Sequence, residues 1–556
     1  MRRCPCSLAS LVGLLLLAGF SGSGIADEPA CSIRLTDVTA RSGITFRHTD
    51  GGSGQRYIVE SVVAGVATFD YDGDGWIDIY FLNGAPLQGT ALRPGQPPPR
   101  HALYRNNGDW TFTDVTEQAG LRESGYGLGV VAGDYDNDGD PDLFLNNFGR
   151  CVLWANNGDG TFSDGTDRAG VAGPEHVGAG ASFFDMDSDG DLDLFVASYV
   201  DFTYENHVVR TIGKHRFHAG PKDYRPTPDR LYRNEGDGTF RDVSGPAGIA
   251  AGLSAGMGTL AFDYDDDGDT DILVCNDAGP NLLFQNDGQE KFAEVGLLAG
   301  VAYDGAGNPH SNMGVDSGDY DGDGRLDLFI TGFSSQAPIL FRNLGRGQFE
   351  DATNRAGVAA AVFAPADWGA GLVDFDGDGD RDLFVACGHF NDNIHHIDAR
   401  TALKVPNVLL MNTGGGKFAD VSRRCGDGLK VVESTRGAAF DDLDNDGDMD
   451  AVLLNANAPP TILRNDSPLG AWLQVRLQGR ASSREGIGAR VRVTAAGRTQ
   501  VAEVHAGRGY QSHYGSTLHF GLGGADRIER VEVRWPGKGT TVLAHPDANR
   551  VLTVRE

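Results

Sequence analysis

The chain has 556 residues, with 77 acidic against 47 basic side chains and a formal charge of -30. That balance speaks against nucleic-acid binding, yet 28 of the acids belong to seven copies of one nine-residue loop, and without them the charge is only -2. The acidity is therefore ligand chemistry and not a disordered acidic tail.

In chain order, Arg2 and Arg3 precede an apolar run from Leu8 to Phe20, and small residues lead to Ala26. This predicts a signal peptide over 1–26, too short in its apolar part to span a bilayer. Glu28-Pro29-Ala30 before Cys31 is no lipobox. A secreted, periplasmic or extracellular protein with no membrane span after cleavage is expected.

The loop Asp-x-Asp-x-Asp-Gly-x-x-Asp then recurs. Its carboxylates are Asp70, Asp72, Asp74 and Asp78; Asp134, Asp136, Asp138 and Asp142; Asp185, Asp187, Asp189 and Asp193; Asp263, Asp265, Asp267 and Asp271; Asp319, Asp321, Asp323 and Asp327; Asp374, Asp376, Asp378 and Asp382; and Asp442, Asp444, Asp446 and Asp450. Ca²⁺ takes six to eight oxygens at flexible geometry, so alternate residues turn carboxylates inward while Gly permits the bend. The first half resembles an EF-hand loop, but an Asp at position 9 replaces the bidentate Glu at position 12. Up to seven Ca²⁺ ions are expected; Mg²⁺ is disfavoured because it demands tight octahedral geometry.

The loops lie 64, 51, 78, 56, 55 and 68 residues apart, which is blade-sized for a four-stranded repeat. Each copy has an apolar strand into the loop, an exit strand, a third strand ending at Asn, a GDGTF-type turn and a fourth strand. These are β signals without a competing helical period. The fold expected is all-β, a seven-bladed propeller over 33–466. After the seventh loop the fourth strand is missing, and Leu35-Thr36-Asp37-Val38 at the other end supplies it. The recurring Asn and Phe residues read as turn formers and inter-blade packing.

Residues 467–556 carry 13 Lys+Arg against 7 Asp+Glu and contain seven short strand-like runs. A small antiparallel sandwich or barrel is expected. Its surplus Arg reads first as a solvated or docking face, ahead of a polyanion site. Five Cys follow the signal peptide, an odd number, with Cys275 and Cys387 in strand-like runs where buried thiols are expected.

The stretch FRHTDGGSGQRYIVESVVAGVATFDYDGDG, the LYRNNGDGTF units and the C-terminal EGIGARVRV, GRGYQSHYGSTLHFGLG and VEVRWPGKG resemble the ASPIC/UnbV proteins with FG-GAP/VCBS-type repeats, relatives of cartilage acidic protein with a propeller similar to that of integrin α-subunits. The resemblance implies an extracellular calcium-binding propeller followed by a small β domain, and no established reaction. Members often carry a Cys pair after the third calcium site, whereas 201–230 contains none here.

Alternating strand direction puts the calcium loops and GDGTF turns on one face. The irregular segments 84–101, 201–230, 303–313, 360–368 and 388–407 then gather on the other. They offer His207, His215, His218, Tyr224, Arg225, Asp304, Asn308, His310, His389, Asp392, His395 and His396 as a candidate ligand face. Solvated or backbone-bonded histidines are the first expectation there, a transition metal or acid/base role the second. No GxSxG, HExxH or P-loop appears, so no catalytic residue is assigned. An extracellular module binding a protein or glycan is expected, with a hydrolase or lyase using the same face as the alternative.

Overall fold

Seven groups of four strands, each with a calcium-type loop between its first two, follow the repeat, because every repeat supplies strand-forming apolar runs separated by Asp/Gly/Asn turns. The structure, a computed structural model, describes residues 30–63, 65–91, 98–122, 125–525 and 527–556, so the expected signal peptide lies outside them. Blade 1 is Val66–Phe69, Asp78–Phe81, Ala102–Asn106 and Phe112–Asp114 in antiparallel order. Blades 2 to 6 repeat that order from Tyr126, His176, Gly256, Val315 and Asp367 onwards. Blades 2 and 3 also pair through His176–Gly149 and Val177–Phe148, joining into one continuous sheet.

Blade 7 takes Thr435–Ala439, Ala451–Asn455 and Thr461–Asn465 from one end of the chain and Leu35–Asp37 from the other. Leu35 pairs with Asn465 and Asp37 with Leu463, as the missing fourth strand requires. A disulfide between Cys31 and Cys425, whose Cα atoms are 6.4 Å apart, fastens this strand to the segment after blade 6. Cys151, Cys275 and Cys387 are free and buried.

Aromatic pairs knit neighbouring blades. The residue after the first loop Asp stacks on the fourth-strand Phe of the next blade, as in Tyr71–Phe162 at 6.3 Å, Tyr264–Phe349 at 6.4 Å and Tyr320–Phe418 at 6.0 Å. Four one-turn helices that no helical period announced follow strand four, for example Thr166–Ala169, which ends on Gly170 at φ 76°. Among the described residues no helix is long and apolar enough to cross a membrane.

The C-terminal strands form two sheets. One holds Arg498–Glu503, Arg490–Ala495, Ile528–Arg534 and Thr540–Ala544, all antiparallel; the other holds Thr517–Gly523, Ala471–Gln478 and Val551–Arg555. The expectation of a purely antiparallel domain is corrected here. Ala471–Gln478 and Val551–Arg555 run parallel, because the chain crosses from one sheet back to the other before its last strand.

Cys31–Glu556 is one compact unit. The segment around GRGYQSHYGS leaves the C-terminal sheets and fills the central channel. Gly509 exchanges hydrogen bonds with Val315 at 2.7 and 3.0 Å, His513 does so with Val66 and Thr68 at 3.0 Å, and Val130 N donates to Gln511 O. Tyr510 and Tyr514 donate to Val62 O and Ala370 O, both at 3.0 Å. Glycines on the inner strands make room for it: a Cβ on Gly65 would lie 1.6 Å from Gln511 O.

Candidate metal centres and the two faces of the propeller

Each loop is held by the same bonds. The Gly N–H at the sixth position donates to the first Asp, as Gly75 to Asp70 at 3.0 Å and Gly447 to Asp442 at 2.9 Å. The ninth-position Asp accepts from two backbone N–H groups, so Asp78 takes Tyr71 at 3.1 Å and the strand-three Asn106 at 2.8 Å. Gly75 at φ 89° and Gly139 at φ 107° occupy the left-handed region that the bend requires.

These bonds leave ligand oxygens facing inward. Three carboxylates converge with their oxygens within 4.8 Å in Asp70/Asp72/Asp74, Asp134/Asp136/Asp142, Asp185/Asp187/Asp193, Asp263/Asp265/Asp271 and Asp319/Asp321/Asp327. In the last four of these the position-5 carboxylate instead accepts a local backbone N–H, as Asp138 does from Asp140 N at 3.1 Å, whereas in the first Asp74 joins the cluster. At the third position Oδ1 is buried and unpartnered in Asp136, Asp187, Asp265, Asp321, Asp376 and Asp444. Six loops thus leave the same buried oxygen without a donor, a donor set that fits a hard cation. Burial, then the neighbouring Asp189, pushes Asp185 up to about 7, and burial pushes Asp142 to about 9. Arginine side chains lean into two loops, Arg342 on Asp321 and Asp323 and Arg534 on Asp263.

The C-terminal sheets cover this face. Gln474 Nε2 donates to Asp442 at 2.7 Å, Arg490 pairs with Asp266 at 2.8 Å, and Arg498 reaches Asp380. Asp134 N donates to Glu485 at 3.1 Å, and Lys538 Nζ to Ser188 O at 2.8 Å. Much of the surplus Arg is thus a docking surface, the pull being between guanidinium forks and loop carboxylates.

On the far side, two inserts and the segment 49–60 meet. His218 Nδ1 lies 2.9 Å from Asn391 Oδ1 and its Nε2 lies 3.6 Å from Glu60. Asn393 donates to Arg216 O at 2.8 Å, Arg56 pairs with Asp392 at 2.8 Å, and His207 Nε2 lies 3.1 Å from Gln55 O. His396 stacks on His215 at 3.9 Å and meets the ring of His395 at a tilt, 4.1 Å away. Tyr224 OH accepts from Val208 N, while the Arg225 side chain is exposed. Asp304, Asn308 and His310 bond mainly among themselves, His310 Nε2 lying 3.0 Å from Asp304. His389 is buried, and burial, with Arg436 beside it, pushes it down to about 3.

Sequence reasoning missed Arg436. It is fully buried over the Trp368 ring at 4.1 Å, donating to Ser434 Oγ at 3.0 Å and Thr435 O at 3.1 Å. Its only signal was a charge at the start of an apolar inner strand.

The repeated loops place the chain. The FG-GAP-like repeat profile matches 70–145, 134–196, 220–274, 263–330, 319–385 and 374–453, well over half of the sequence. The chain belongs to the FG-GAP-like repeat family. The ASPIC and UnbV profile matches 479–556. Cartilage acidic protein 1 of Mus musculus is 27% identical over 327 residues, 57% of this chain and 47% of that protein. The Homo sapiens protein of that name is 24% identical over 514 residues, 88% of this chain and 62% of that protein, so the chain spans less than two thirds of either relative. A solved structure of the BBS1 N-terminal region in complex with ARL6 covers 78% of this chain and 96% of its own, at 9% identity and a TM-score of 0.39.

Proposed function

We propose that this FG-GAP repeat protein is a secreted, calcium-loaded binding module that recognises an extracellular protein or glycan through the face opposite its calcium loops. The observation that carries the calcium assignment is the unpartnered third-position oxygen repeated in six loops. A cation there restores charge to carboxylates that burial otherwise disfavours. The Cys31–Cys425 disulfide fits an oxidising compartment and so supports secretion. The choice of face follows from occlusion: the C-terminal sheets lie over the loops and the channel is filled, which leaves the inserts around 201–228 and 388–400 as the accessible irregular surface.

The experiment is a glycan and protein array with three forms of the protein. Replacing the Arg210–Phe217 hairpin with a short Gly/Ser turn should abolish binding to the protein and neutral-glycan probes and leave the calcium-dependent melting shift intact. Asp319→Ala should lower melting first and affinity only through it. Binding lost at full stability in Asp319→Ala, and kept in the hairpin swap, would move the ligand to the calcium face.

A further inference from the structure

Between the C-terminal domain and the calcium loops of blades 1 and 2 lies a cleft of about 660 Å³, inside the ~300–1,000 Å³ range of small-ligand sites, which favour domain junctions. Its roof follows from strand register. Side chains two apart on a strand share a face, so Gln474, Arg476 and Gln478 point the same way. Gln474 is docked on Asp442. Further along, the cleft opens between sheet and loops, and Arg476 stands abreast of Thr517 on one neighbouring strand and Thr553 on the other. The next row is Gln478 beside Arg555, and Arg484 closes the end.

The arginines here differ from those that hold the domain down. Arg490, Arg498 and Arg534 are ion-paired to loop carboxylates. Among the described residues Arg476, Arg484 and Arg555 form no direct ion pair, although the charge of Arg476 acts on Asp70 across the cleft; Arg484 donates to Asn137 O at 3.3 Å and Arg555 to Gln478 Oε1 at 2.8 Å. Three guanidinium forks recognise carboxylate or sulfate. The Thr517, Thr553 and Gln478 side chains, with Asp140 of the blade 2 loop and Glu485 beside Arg484, supply the mixed donors and acceptors that sugar hydroxyls need. The apolar lining, Phe69, Ile77, Pro141 and Leu477, suits the carbon faces of sugar rings, and Phe69 and Leu477 are themselves buried, which leaves no large exposed aromatic as a peptide anchor.

We propose that this cleft binds an acidic saccharide, with Arg476 at its centre and Arg484 and Arg555 at its rim taking the anionic groups. It is a second site, separate from the insert face. Asp70 and Asp138 on its floor belong to the loops read above as calcium sites, so the sign of the cleft rests on that reading: with those loops loaded, Asp140 and Glu485 are the two carboxylates left against three arginines.

The test is calorimetric titration of the full chain in calcium with a heparin hexasaccharide, a hyaluronan hexasaccharide and neutral cellohexaose. An acidic hexasaccharide should bind and cellohexaose should not; heparin alone would assign sulfate, and equal binding of both would assign carboxylate. Arg476→Gln should weaken binding at least tenfold with unchanged melting, and Arg555→Gln on the exposed sheet edge is the second variant. Arg241→Gln, an exposed arginine of blade 3, should leave affinity unchanged. Undiminished binding in both cleft variants, an equal loss in Arg241→Gln, or no binding by the native chain would overturn the proposal. Melting with and without EGTA on the same samples separates the two readings: Arg476-dependent binding without a calcium shift would keep the cleft and remove the calcium.

Discussion

Asn412 uses one amide for three purposes. Its Oδ1 accepts from Gly414 N at 3.1 Å and so shapes the turn, while its Nδ2 donates to Arg381 O at 3.2 Å and, across the blade boundary, to Tyr320 O at 2.9 Å. Its counterparts repeat the inter-blade bond, ending with Asn106 on Leu443 O at 2.8 Å, which joins blade 1 to blade 7. Asn412→Ala leaves buried carbonyls without donors and should cost about 1–3 kcal/mol, measured by denaturant unfolding, with the calcium shift retained. Buried histidines set a second expectation. His48 and His389 are pushed down to about 3, burial being the main cause and Arg436 the next. The unfolded chain then binds protons that the folded chain refuses, so stability should fall as pH drops below about 6.5, by up to ~1.4 kcal/mol per pH unit for each such group. His389→Gln should flatten the slope of unfolding free energy against pH between 6 and 5; an unchanged slope would remove His389 from the account.

At the scale of elements, the strand Leu35–Asp37 closes blade 7, and Cys31–Cys425 holds it there. Deleting 31–40 should lower solubility and melting by opening a sheet edge, and Cys31→Ser with Cys425→Ser should cost about 2–5 kcal/mol; native-like melting in both would count against a shared blade. This strand was legible because a counted repeat exposes its own missing member. The Asp loops were legible for the same reason, each copy repeating one spacing of four carboxylates, and their oxygens converge as that spacing implies. The disulfide was not, because five cysteines leave the pairing open and only the seam brings these two together. The Asn residues were half legible: their turn role is local, whereas the bond to the preceding blade depends on stacking that no single repeat encodes. The channel segment was visible as a motif, but its destination depends on how the C-terminal sheets dock.

On the scale of the whole molecule, the C-terminal domain touches the loops and fills the channel at once, so the two should respond together to calcium. Empty loops hold like charges about 4 Å apart, each pair repelling by ~4 kcal/mol at an effective dielectric near 20, and binding to the folded state raises stability by mass action. EGTA should therefore lower the melting temperature and speed hydrogen exchange at Gly509 and Val315, whose mutual bonds anchor the channel segment; unchanged exchange would mean that the domain docks independently of the ion. The shared blade also fixes an order of assembly. Leu35 must find Asn465 across 430 residues, a closure that costs a free chain about 5 kcal/mol. Blades 1 to 6, once stacked, hold the two halves of blade 7 side by side and remove most of that cost. The seam is thus the last joint of the ring to close, the disulfide then ties it, and the channel segment, which cannot enter before the ring surrounds it, acts as the bolt shot afterwards.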